Sequence, residues 1–165
     1  MYIQLLYIQT IMPRKPQSPK TLRSDARNAI DACAGWNIRA AARRITQFLE
    51  LRLEAADLSF AQFGLMAEIA AASDDSISAL AGRMGLDQST LSRTLRTLEN
   101  EGLVEIAVAE ADQRRKLVWL TEKGARRLEA ALAVWRKAHA ELERLLSVDL
   151  VRRLALETEA LVEDR

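Results

Sequence analysis

The stretch from Ser76 to Thr121 constrains this chain more than any other. Ser76 is placed to cap a short helix whose inward face is Ile77, Leu80 and Ala81, since a serine side chain at that position accepts from a backbone N–H left unpaired by the first turn. Met84-Gly85-Leu86 then makes a tight turn, with Gly85 supplying the backbone freedom such turns require. Asp87 caps a second helix from Gln88 to about Glu101, on which Leu91, Leu95 and Leu98 share one face at i, i+4 and i+7. Gly102 ends that helix, and Val104, Ile106 and Val108 alternate as a strand. A polar tip from Glu110 to Lys116 leads into a returning strand, Leu117 to Leu120. Two helices around a tight turn, followed by a hairpin, form an arrangement that sets one helix into a DNA groove.

The outward side of the second helix carries Ser89, Arg93 and Arg96. Hydroxyls and backbone N–H groups bind phosphates, and arginine bonds guanine bidentately. Taken alone, this face reads more simply as that of an amphipathic helix with a solvated polar side. Beside the hairpin tip lie Arg114, Arg115 and Lys116, placed to reach an adjacent minor groove, where narrow sites attract arginine. Asp112 precedes Arg114 by two residues, close enough to brace its guanidinium.

Bulk electrostatics add little. The chain of 165 residues has a formal net charge of +1. Within Ser76–Lys123, the bases Arg83, Arg93, Arg96, Arg114, Arg115, Lys116 and Lys123 are matched one for one by Asp87, Glu99, Glu101, Glu105, Glu110, Asp112 and Glu122. Binding to nucleic acid must therefore lean on a few placed arginines. One cysteine excludes an internal disulfide, and one histidine leaves no zinc site. With no phosphate-binding Gly-rich loop and no metal-ligand cluster, an enzyme has no support and no cofactor is expected. The pair Glu141/Glu143 reads as helix-surface solvation.

The remainder of the chain reads as helices that hold this module. Met1–Met12 is apolar but too short to span a bilayer, so no membrane association is expected and the place is the cytoplasm. Residues 1–11 read as an upstream extension, with translation starting at Met12 and a flexible PRKPQSPK run following. From Ser24 to Ala56, Ile30, Cys33, Ala34, Asn37, Ala41, Ile45, Phe48 and Leu49 recur at helical steps, opposite a basic face of Arg39, Arg43, Arg44 and Arg52. Ser59 caps the next helix, which carries Phe60, Phe63, Leu65, Met66 and Ile69 until Ser73-Asp74-Asp75 breaks it. After Thr121 a long helix bears Leu128, Leu132, Trp135, His139, Leu142 and Leu146 as a heptad-like seam, and a final helix places Leu150, Leu154 and Leu161 on one face. One copy of this arm has little to bury itself against, so a helical dimer completes it.

Together these features resemble the MarR family of regulators over roughly Ala32 to Val162. Three segments carry the resemblance: Leu80-Ala81 with Met84 to Arg93 as the helix-turn-helix core, Leu98 to Val104 as the hinge into the wing, and Asp112-x-Arg114 followed by Leu120-Thr121-x-x-Gly124 as the wing signature. The resemblance implies a mainly α fold with a small β-wing, in which a winged helix-turn-helix DNA-binding module is flanked by long N- and C-terminal dimerisation helices. The corresponding divisions are an N-terminal extension at 1–23, a dimerisation helix at 24–57, the winged module at 58–123 and C-terminal dimerisation helices at 124–165. It further implies a homodimeric transcriptional repressor on a palindromic operator of double-stranded DNA. Gln88, Ser89, Thr90 and Arg93 would lie in the major groove, with Arg96 at the backbone or a base edge. Arg114 would enter the minor groove, aided by Arg115 and braced by Asp112.

Release by a small aromatic or phenolic effector is also implied. Trp36, Phe63, Met66 and Trp135 are candidates to line its pocket, although each reads more simply as core. An alternative switch is oxidation of Cys33, since some members sense peroxides through a cysteine near the start of the first helix and a helix N-terminus makes a thiol more reactive. The tyrosines that support such thiolates have no counterpart in the second helix here, and a buried structural cysteine is the simpler reading. His139, on the heptad seam, reads as a satisfied interface or surface group before it reads as a pH switch. A third function class, a helical interaction module without DNA binding, is opposed by the intact Arg93 and Arg114.

Overall fold

The computed structural model describes residues 19–72, 76–109 and 112–161, with the side chains of Pro19, Lys20, Gln113 and Arg114 outside that description. The expected extension at 1–11, the start at Met12, the break at Ser73-Asp74-Asp75 and the tip residues Glu110 and Ala111 lie outside the described residues. Two compact units divide after Ile45.

In the first unit, α1 spans Pro19–Ala32, and α2 spans Ala34–Leu53, running on into the second. The single helix expected over Ser24–Ala56 is therefore two helices, parted at Cys33. The Cys33 N–H donates to the Ile30 carbonyl at 3.3 Å, and its own carbonyl accepts from Asn37 at 3.0 Å. One bond closes the first helix and the other opens the second, a junction that hydrophobic periodicity cannot register. Asn37 adds a side-chain bond to the Asp31 carbonyl at 2.9 Å.

The second unit is built on α3 (Phe60–Ala71), α4 (Ile77–Met84), α5 (Gln88–Asn100), the antiparallel strands β1 (Val104–Ala109) and β2 (Asp112–Leu120), α6 (Glu122–Leu145) and α7 (Val148–Glu159). Ser59 and Gln62 cap α3 reciprocally: the Ser59 hydroxyl accepts from the Gln62 N–H at 3.1 Å, and the Gln62 side chain accepts from the Ser59 N–H at 2.8 Å. Ser76 caps α4 from a buried position that also bridges to Leu117 of β2, tying the helix start to the hairpin. Gly85 ends α4 at φ +58°, with its N–H on Gly82 and the Leu86 N–H on Ala81. Gly102, at φ +67°, repeats the pattern after α5 through bonds from Gly102 to Glu99 and from Leu103 to Leu98. A left-handed residue of this kind lets the chain satisfy the last carbonyls while turning sharply.

The core gathers Leu53, Leu65, Met66, Leu80, Leu91, Leu95, Leu98, Leu103, Val104 and Val118, all at or below 2% exposure. Each such leucine contributes about 1.5–3 kcal/mol through removal from water. On α6 the buried stripe is Gly124, Leu128, Ala131, Ala138 and Leu142, with half-buried Trp135 beside it. Leu132 and His139 of the expected seam are half-buried in a single copy, while the small Ala131 and Ala138 are fully covered. Small residues allow close helix approach but contribute weakly to an apolar pattern. Phe63 of α3 stacks on Trp135 at a 6.2 Å centroid distance, and Trp135 lies 4.8 Å from the His139 ring.

Polar ties fix the frame. Arg52 lies over the Phe48 ring and donates twice to Glu141, at 2.9 and 2.7 Å, so neither Arg52 nor Glu141 is simply solvated surface. Glu143 approaches His139 Nδ1 at 3.3 Å. Arg127 donates to the carbonyls of Ala56 and Asp57, where Asp57 adopts φ +51°. No described helix is long and apolar enough to cross a membrane.

Candidate nucleic-acid interface

The exposed side of α5 is set by its buried side. Leu91, Leu95 and Leu98 are sunk into the core, so Gln88, Ser89, Thr90, Arg93 and Arg96 all stand exposed. Arg93 and Arg96 carry no side-chain hydrogen bond or ion pair among the described residues. Their charges are presented outward by a helix whose ends are pinned at Asp87 and Gly102.

Asp87 does more than cap the helix. One carboxylate oxygen accepts from the Thr90 N–H at 2.8 Å and from the Ser89 hydroxyl at 2.6 Å, while the other accepts from the Thr90 hydroxyl at 2.9 Å. These bonds, led by that from Ser89, lower its pKa from 3.8 to about 2. The hydroxyls expected to face phosphates therefore spend their protons within the protein. Asp-x-Ser-Thr spacing was the available signal, and reading Asp87 as an N-cap alone overlooked it.

The hairpin stands against α5. Its register pairs Val104 with Leu120, Ile106 with Val118 and Val108 with Lys116, then shifts so that Ala109 faces Asp112. Gln113, Arg114 and Arg115 thus fall between the Lys116 and Asp112 pairings while Val108 and Ala109 are adjacent. This irregularity lies at the basic residues singled out in the sequence. Asp112 and Arg115 are exposed, and the Asp112–Arg114 brace lies outside the described side chains. On the solvent side, Trp119 donates to Glu105 at 3.1 Å across the register pair they form.

An open groove of about 600 Å³ runs between α5 and the hairpin, lined in part by Gln88, Ser92, Arg96, Val108, Arg115 and Lys116. It brings together Gln88, Arg96 and Arg115 from the expected set, and adds Ser92 and Lys116. Ser89, Thr90 and Arg93 are outside that lining and belong to the neighbouring face of α5.

The wing is locked to the next helix by a dense set of bonds. Thr121 donates its N–H to Leu103 O at 3.1 Å and its hydroxyl to Gly102 O at 2.7 Å, and that hydroxyl accepts from the Gly124 N–H at 2.9 Å. Lys123 reaches the Glu101 carbonyl at 2.6 Å. A Cβ at Gly124 would overlap the Leu103 carbonyl oxygen and sit 2.9 Å from its carbon, which explains the glycine that closes the Leu-Thr-x-x-Gly run.

Cys33 is exposed at the start of α2, which corrects the simpler reading of a buried cysteine. Of the candidate pocket residues, Phe63 and Met66 are core and Trp135 is half-buried, whereas Trp36 is 57% exposed. Among the described residues no group of three or more His, Cys, Asp or Glu is placed to hold a metal.

Comparison with known proteins decides the family. The MarR family model matches residues 56–115, which span α3, α4, α5 and most of the hairpin. The transcriptional regulator HosA of Escherichia coli O157:H7 is 33% identical over 108 residues, covering 61% of this chain and 80% of that protein. The chain belongs to the MarR family. Among solved structures, the M. tuberculosis transcriptional regulator MosR in complex with DNA is similar at a TM-score of 0.71 and 32% identity, over 78% of this chain and 96% of that one. A MarR variant from E. coli complexed with operator DNA gives 0.70 and 26%, over 81% and 96%. This MarR-family chain is accordingly a winged-helix transcriptional regulator and not an enzyme.

Proposed function

We propose that this regulator is a repressor that binds a palindromic operator as a homodimer and leaves it when a small aromatic or phenolic molecule binds. The observation that carries the DNA part is the exposed pair Arg93 and Arg96, without side-chain partners among the described residues, on a capped helix in a fold shared with MosR and MarR in their DNA complexes. In this reading α5 enters the major groove with Gln88, Ser89, Thr90 and Arg93, while Arg96 meets the backbone or a base edge. Arg114 enters the minor groove from the wing, with Arg115 beside it and Asp112 as brace. Two-fold symmetry would put half-sites about one helical turn apart.

Exposed apolar side chains support the dimer. Leu150, Leu154 and Leu161 of the C-terminal arm are exposed in a single copy, as are Leu22 and Ile30 of α1. The effector class rests on the family resemblance. The test is a gel-shift titration at fixed salt with the DNA upstream of this protein's own coding region, which is expected to contain a palindrome with half-sites about ten base pairs apart. Absence of a salt-dependent, saturable complex would leave a helical interaction module as the better account.

The exposure of Cys33 favours a second reading of the switch, oxidation of its thiol. Cys33→Ser would then abolish peroxide-induced release. Release that persists in the serine variant ends this reading and leaves the small-molecule switch in place.

A further inference from the structure

We propose that Asp87 sets the hydrogen-bond polarity of the face that α5 presents, making Ser89 and Thr90 acceptors that read the exocyclic amino groups of adenine or cytosine. The inference rests on the reading of α5 as the groove-binding helix. A hydroxyl has one proton to donate and two lone pairs with which to accept. An ionised carboxylate only accepts, so the 2.6 Å contact of Ser89 and the 2.9 Å contact of Thr90 with Asp87 are possible only if each hydroxyl gives its proton to the carboxylate. The low pKa of Asp87 keeps the carboxylate ionised at neutral pH.

The same commitment continues along the helix. Thr94 donates to the Thr90 carbonyl and Thr97 to the Arg93 carbonyl, each at 3.2 Å. Four hydroxyls of α5 have thus lost their donor capacity. Among the described residues the side-chain donors left on α5 are the Gln88 and Asn100 amides, Ser92, Arg93 and Arg96.

Phosphate oxygens need donors, so the Ser89 and Thr90 hydroxyls are poorly matched to the backbone while Asp87 holds them, and its negative charge opposes a phosphate at that end of α5. In the major groove the exposed donors on base edges are adenine N6 and cytosine N4. The arginines supply the complementary preference for guanine O6 and N7. One face therefore carries acceptors toward its N-terminus and cationic donors farther along, and a matching operator half-site would have an amino-bearing base followed by guanine.

The experiment selects tight-binding duplexes from a random pool with the full-length protein. In the enriched site, an adenine or cytosine is then replaced by its analogue lacking the exocyclic amino group. Wild type should lose about tenfold or more in affinity at one such position, and the Ser89→Ala/Thr90→Ala variant should lose nothing further there. Asp87→Asn still caps the helix but offers amide donors, which frees a hydroxyl proton. It should flatten the preference at that position with its thermal melt retained. Enrichment for thymine or guanine at the position governed by Ser89 and Thr90, or an Asp87→Asn variant that melts normally and keeps the wild-type preference, overturns the proposal while leaving α5 as the recognition helix. If no sequence is enriched, the groove-binding reading itself fails and this inference falls with it.

Discussion

Asp87 ties the stability of α5 to pH. Its carboxyl titrates at about 2 in the folded chain against 3.8 ordinarily, with the Ser89 hydroxyl as the chief cause and the Thr90 groups next. A carboxyl depressed by folding binds fewer protons in the native state than in the unfolded one, so its contribution is complete above the ordinary value and disappears as pH falls toward the native one. Asp87→Asn has no proton to take up there. Acid unfolding followed by circular dichroism should fall less steeply for that variant between 3.8 and 2. Parallel curves would mean that the hydroxyls do not hold the carboxylate in solution. At the same scale, Arg93→Ala and Arg114→Ala should each weaken operator binding by about 1–3 kcal/mol, with Arg93→Ala also relaxing the base preference beneath it. Unchanged gel-shift midpoints would remove the arginine concerned from the interface.

The elements were legible in proportion to how local their causes are. The expected caps at Ser59, Ser76 and Asp87 hold, because each needs only a side-chain oxygen within three residues of a free N–H, and Thr121 and Ser147 cap α6 and α7 in the same way. The turns at Gly85 and Gly102 follow from the left-handed backbone that glycine adopts at least cost. The break at Cys33 was hidden, since the apolar spacing runs straight through it and the nearby Gly35 lies inside α2 instead of at the junction. Burial of Ala131 and Ala138 escaped for a different reason: a small side chain is informative only when the partner helix is known. Gly124 was readable as part of a motif, but its purpose came from Leu103, which lies against it from the far side of the hairpin. Gly124→Ala should push the α6 start off the Leu103 carbonyl and cost about 1–3 kcal/mol, as overpacking does. The melting temperature should fall by several degrees, and an unshifted thermal melt would show that this junction yields freely.

A single copy leaves its C-terminal arm without a core of its own. No residue of α7 is buried, and Leu145, Leu150, Leu156 and Leu161 are more than half exposed. Four leucines facing water on one short arm forgo about 1.5–3 kcal/mol each, which a second copy would recover by covering them. The winged module is well packed without this arm, because its core of Leu53 to Ala131 draws nothing from α7. Charge placed on the arm should therefore separate assembly from folding. Leu150→Glu with Leu154→Glu is expected to retain the helical circular dichroism spectrum while light scattering reports a monomer. A dimer holds its second reading helix at high effective concentration over the second half-site, so the monomer should lose about a hundredfold or more in operator affinity, with half-site affinity preserved. A variant that stays dimeric would move the interface away from this face of α7. A monomer that still binds the palindrome tightly would remove symmetry from the account of recognition, and the neutral module would then have to bind through its own arginines alone.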